Sequence, residues 1–86
     1  MTNIYVVKRG QGIGDNIQWE DLAVFSTRKL ADSFVKQLEH TIPSNHHYPD
    51  WEDGYTDDEQ YEMQVYLLKI IDNEKPFKKL IKEWDF

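Results

Sequence analysis

The chain has 86 residues, 40% hydrophobic and 30% charged, with a net charge of −6 at neutral pH. That length makes one domain, residues 1–86; no apolar run is long enough for a membrane-spanning helix, and the acidity disfavours direct contact with nucleic acid, whose phosphates require cations. There is no cysteine, which removes disulfides and thiolate metal sites and leaves the core to apolar packing, much of it by three Trp, five Tyr and four Phe.

The first element is residues 4–8, IYVVK, whose β-branched and aromatic residues read as a strand. No basic n-region precedes it, so no signal peptide is expected, and the absence of cysteine fits a cytoplasmic location. Gly10, Gly12 and Gly14 with Asp15 and Asn16 form a turn cluster, so the first two strands are expected to make a hairpin with a long glycine-rich loop. The second strand spans residues 17–25 and ends in the apolar run Leu22, Ala23, Val24 and Phe25. Ser26 or Thr27 then caps a helix, in which Leu30, Ala31, Phe34, Val35 and Leu38 make one apolar stripe. Phe34 and Leu38 are predicted core. Pro43 bars the helix from continuing.

Residues 41–60 are expected to form a long acidic-aromatic loop containing Pro43, Pro49 and Gly54. Thr56 and Glu59 have capping-box spacing, which suits a single helical turn. In residues 61–71, YEMQVYLLKII, Tyr61, Met63, Val65, Leu67 and Ile71 alternate with Tyr66, Leu68 and Ile70. Both faces are apolar, which reads as a central strand covered on both sides. A helix would also place Tyr61, Val65 and Leu68 on one stripe; the β-branching and the following turn favour the strand. Asp72 to Pro76 starts a C-terminal amphipathic helix over residues 76–86, where Phe77, Leu80, Ile81 and Trp84 share a face. The predicted fold is α+β: a small antiparallel sheet of about three strands, in β-β-α-β-α order, packed with two helices. The C-terminal helix is expected to cover the second face of the sheet within the protomer, with a homodimer as the alternative.

The strands IYVV and AVFST, the helix RKLADSFVKQL and the late VYLLKI segment resemble small uncharacterised bacterial and phage proteins. Those have a VYVV strand, a GVFST strand, a helix rich in Ala, Glu and Lys, and an acidic final strand. The resemblance spans residues 4–38 and 61–71 and implies the order of elements and no chemistry. The acidic stretch 44–60 and the C-terminal helix are departures from it.

Sites of known chemistry are not completed. The dinucleotide fingerprint beginning at Gly10 needs glycine where Asp15 stands and a helix where a strand follows. Around Gly54, a calcium loop would have Pro49, Trp51 and Gln60 at ligand positions. His40, His46, His47 and Asp50 do not converge for zinc, since adjacent extended residues point apart. Ser26, Ser33 and Ser44 sit in no nucleophile motif, and solvated acids without a cleft do not make a glycosidase pair. No enzyme, metal or cofactor is expected.

Charge is the remaining signal. Between Gln37 and Leu68 there is no Lys or Arg and there are eight acids. Tyr48, Asp50, Trp51, Glu52, Asp53, Tyr55, Asp57, Asp58 and Glu59 therefore form the candidate protein-binding site, aromatics as anchors and acids for steering. The expected function is a non-enzymatic interaction module whose partner is a basic surface of another protein. Its most concrete form is a phage or mobile-element inhibitor that imitates nucleic acid in a nucleic-acid-binding site. The alternatives are a small-ligand or nucleotide-binding protein using Lys8, Arg9, Arg28 and Lys29, and a structural accessory subunit. Neutralising Asp53, Asp57 and Asp58 is expected to leave the fold intact, because no cation neighbours them in sequence.

Overall fold

The computed structural model describes residues 2–41 and 47–83, with the side chain of His47 excepted. Expectations placed on Pro43, Ser44, His46, Trp84 and Phe86 lie outside the described residues. The elements are β1 (Asn3–Ile13), β2 (Asn16–Phe25), α1 (Arg28–Thr41), β3 (His47–Tyr55), α2 (Glu59–Leu68), β4 (Ile70–Ile71) and α3 (Phe77–Glu83). The fold is α+β, but with four described strands and three helices instead of three and two. The strand order is β3-β1-β2-β4. β1 is antiparallel to both β2 and β3, while β4 is parallel to β2, so the sheet is not wholly antiparallel.

The hairpin is longer and its loop shorter than the glycine cluster implied. Ile13 pairs with Asn16, leaving Gly14 and Asp15 as a two-residue turn. Gly14 has φ 60° while Asp15 does not have a positive φ, as in a turn that takes glycine at its first central position. Gly10 and Gly12 lie inside β1. A Cβ at Gly10 would meet the Trp19 ring at 2.9 Å, so the bare backbone there is covered by an aromatic from the neighbouring strand. Between Val7 and Lys8 the register slips: Val7 faces Ala23 and Lys8 faces Asp21. Leu22 is the extra residue, a β-bulge that sends Leu22 and Ala23 into the same apolar cluster.

Helices cover both faces of the sheet, in three layers. On one face Val7, Ala23 and Phe25 pack against Ala31, Phe34 and Leu38 of α1 and Phe77 of α3. Phe34 and Leu38 are fully buried, as the stripe predicted. The rings of Phe25, Phe34 and Phe77 meet with centroids 5.0–5.5 Å apart. Each buried ring contributes roughly 1.5–3 kcal/mol through its removal from water. Thr27 is the cap of α1, accepting the Leu30 amide at 3.2 Å.

On the other face Ile4, Val6 and Val24 meet Tyr61, Val65 and Leu68 of α2. Residues 61–68 are thus helix and not a central strand. The Asp58 carboxylate accepts the Gln60 amide at 2.9 Å, and Glu59 and Glu62 stand in the first turn, where the helix dipole favours anions. Only Ile70 and Ile71 join the sheet. The second face is covered by α2, and the C-terminal helix α3 folds back onto the α1 side instead.

Candidate interaction surface

The expected acidic loop is largely a strand. Residues 47–55 form β3, nine residues paired with β1 from Asn3↔Tyr55 to Gln11↔His47. Among the described residues β3 is the edge of the sheet, paired on one side only. An extended strand gives the predicted residues two faces rather than one. Trp51, Asp53 and Tyr55 alternate toward the α1 side; Tyr48, Asp50 and Glu52 alternate toward the α2 side. Asp57, Asp58 and Glu59 follow in the turn and at the start of α2.

Three of the nine are tied into the scaffold. Trp51 is half-buried: its indole N–H donates to Asp32 Oδ1 at 2.6 Å, the Arg28 guanidinium lies 5.2 Å from its ring, and Tyr5 meets it edge-on at 5.7 Å. It clamps β3 to α1. Glu52 accepts from Lys8 Nζ at 3.0 Å across the β1–β3 ladder. Asp58 is the cap of α2. The remaining six are exposed: Tyr48 and Tyr55 show 42% and 46% of their surface, and Asp50, Asp53, Asp57 and Glu59 lie open beside them. Among the described residues these four acids make no ion pair.

Sequence reading missed a polar network between β1, β2, β3 and α2. Its centre is Glu52, held by Lys8 and by the Tyr61 hydroxyl. Burial alone would raise the Glu52 pKa, but the hydrogen bonds from Lys8 and Tyr61 and the Lys8 charge outweigh it and set the carboxyl below its ordinary value. The Tyr61 hydroxyl is pushed up to about 12 by burial, by its hydrogen bond to Glu52 and by the charges of Glu52, Asp58 and Asp21. Asp21, which accepts from the Gln64 amide, is raised by burial and by the nearby Glu52, against the pull of Lys8. Gly54 makes room for this arrangement, since a Cβ there would stand 2.6 Å from the Tyr61 ring. Lys8 and Glu52 are 44 positions apart, and no local pattern announces such a pairing.

Three of the four cations proposed for a small ligand are engaged. Lys8 binds Glu52 and lies 5.1 Å from the Trp19 ring; Arg9 binds Glu20 at 2.7 Å; Arg28 lies 3.9 Å from Asp32. A cleft of about 130 Å³ opens between Arg9, Gln11, Gln18, Trp19 and Glu20. Among the described residues no three His, Asp or Glu side chains converge as a metal site, and no helix is long and apolar enough to cross a membrane.

Comparison with protein-family models, with curated proteins and with solved structures finds no match to this chain.

Proposed function

We propose that this protein is a non-enzymatic interaction module that docks on a basic surface of another protein along the outer edge of β3. The observation that carries this reading is the edge strand itself. It is paired on one side only, and it carries Tyr48, Asp50, Asp53 and Tyr55 exposed along it. Charges on an edge strand also prevent pairing with other copies, but that role does not need two exposed tyrosines. Tyrosine is a residue of interface hot spots, and carboxylates at the rim steer a cationic partner and fix its register. The β1 cations Lys8 and Arg9 are already bound to Glu52 and Glu20, so they leave the charge of Asp50 and Asp53 uncancelled. Inhibition of a nucleic-acid-binding protein is the concrete form, because such a site is basic and accepts planar rings beside anions.

The small-ligand reading has less support. Its cleft of about 130 Å³ is well below the roughly 300–1,000 Å³ of ordinary ligand pockets, and three of its four cations have carboxylate partners.

The test is affinity capture from host lysate with the full chain and with an Asp50→Asn, Asp53→Asn, Asp57→Asn variant. The expected result is a basic protein held by the unmodified chain, released by salt and absent from the variant. Equal capture by both chains would remove β3 as the docking element.

A further inference from the structure

Helix α2 is apolar on two sides, and the sheet covers only one of them. Tyr61, Val65 and Leu68 pack on Ile4, Val6 and Val24. On the opposite side Met63, Tyr66 and Leu67 are 65%, 84% and 72% exposed, and Ile70 just beyond the helix is 37% exposed. Met63, Tyr66 and Leu67 are spaced i, i+3, i+4 on the helix and form one stripe, and Ile70 follows in β4. Isolated exposed apolar side chains need no explanation, but a contiguous stripe marks an interaction surface.

The ends of the stripe say what fits it. Glu59 and Glu62 stand in the first turn and Lys69 caps the last. A second α2 laid antiparallel brings the acidic end of each helix to the Lys69 end of the other and opposes the two helix dipoles. It sets Met63, Tyr66 and Leu67 of one copy against the same three residues of the other. A parallel copy would set acids against acids. The surface is therefore complementary to itself under a two-fold rotation, the commonest symmetry of protein dimers. Lys69 adds a second observation. It has φ 56° and ψ 139°, a backbone conformation that favours glycine, and its position at the end of the stripe gives its ammonium group a use there.

We propose that the outer face of α2 is the contact between two copies of this chain, paired antiparallel about an axis near Tyr66. The residues are distinct from those of the β3 edge, and the inference stands independently of the docking role.

Sedimentation equilibrium of the full chain tests it. The expected result is a mass rising with concentration from 10.3 kDa toward twice that value, and a loss of the heavier species in Leu67→Glu with the circular dichroism spectrum unchanged. The chain has no cysteine, so a single introduced thiol reports cleanly on proximity. Tyr66→Cys is expected to form a disulfide-linked dimer on mild oxidation faster than Lys36→Cys, placed on the exposed side of α1. A monomer at every concentration would overturn the proposal. So would a dimer indifferent to Leu67→Glu, or equal crosslinking of the two cysteine variants.

Discussion

Lys69 stands where the backbone favours glycine. A side chain at φ 56° and ψ 139° costs of the order of 1–3 kcal/mol, against about 0.5–1 kcal/mol for the extra freedom that glycine brings to the unfolded chain. Lys69→Gly is therefore expected to stabilise the fold by about 1 kcal/mol. The urea midpoint, read in the Leu67→Glu background so that self-association does not enter, should rise; a fall would mean that the lysine side chain holds the turn. Asp58 is the reverse case, a residue doing local work that its place in an acidic run conceals. Asn caps a helix as well as Asp does, so neutralising Asp53, Asp57 and Asp58 to Asn is harmless to α2, whereas Asp58→Ala should cost about 1 kcal/mol. An unchanged urea midpoint in Asp58→Ala would show the cap to be idle.

Tyr61 and Glu52 give the fold a pH signature. Glu52 has a lowered pKa in the folded chain, so its contribution is complete above its unfolded value and is lost as acid takes the pH down through the folded one. Tyr61 has a raised pKa, about 12 against 10.0. Its proton is retained in the folded state after the unfolded state has lost it, so stability falls as the pH rises from 10.0 toward about 12. In an absorbance titration of the five tyrosines, the last to ionise should vanish in Tyr61→Phe. An unaltered titration tail would place the hydroxyl in water, away from Glu52.

At the scale of elements, legibility followed periodicity. The stripe of Leu30, Phe34 and Leu38 fits only a helix, and α1 starts directly after Thr27, one of its two predicted caps. Phe34 is wholly buried between Phe25 and Phe77, and Phe34→Ala should cost about 3–5 kcal/mol, measured by urea titration; parent-like stability would contradict the packing of α1 on the sheet. Residues 61–68 were ambiguous for a physical reason. A helix apolar on both sides matches a period of two as well as one of 3.6, and the outer stripe of Met63, Tyr66 and Leu67 supplied the false alternation. The local signals that decide it are Asp58 as a cap and the acids of the first turn. β3 was illegible because Pro49, Gly54 and its charges are loop-like residues. They are tolerated because β3 is an edge strand, a property that appears only when β1 has found its partners. Of the candidate site, the acidic-aromatic composition was readable; its division between two strand faces, and the tethering of Trp51 and Glu52, were not.

At the scale of the whole molecule, charge and layers separate two surfaces. The sheet buries its faces under α1 with α3 and under α2; the β3 edge and the outer side of α2 are two of the features it leaves open. Binding at the anionic β3 edge is expected to weaken with salt, because screening acts on exposed charges; association through the apolar α2 stripe is expected to be lost in Leu67→Glu. The proposed seat of the partner is β3. Amide hydrogen exchange of the captured complex, compared with the free chain, tests it most directly. Slowed exchange is expected along residues 48–55 in the complex, with the protection abolished in the Asp50→Asn, Asp53→Asn, Asp57→Asn variant. Protection confined to the Gly14–Asp15 hairpin or to α2, with β3 exchanging as it does in the free chain, would contradict it.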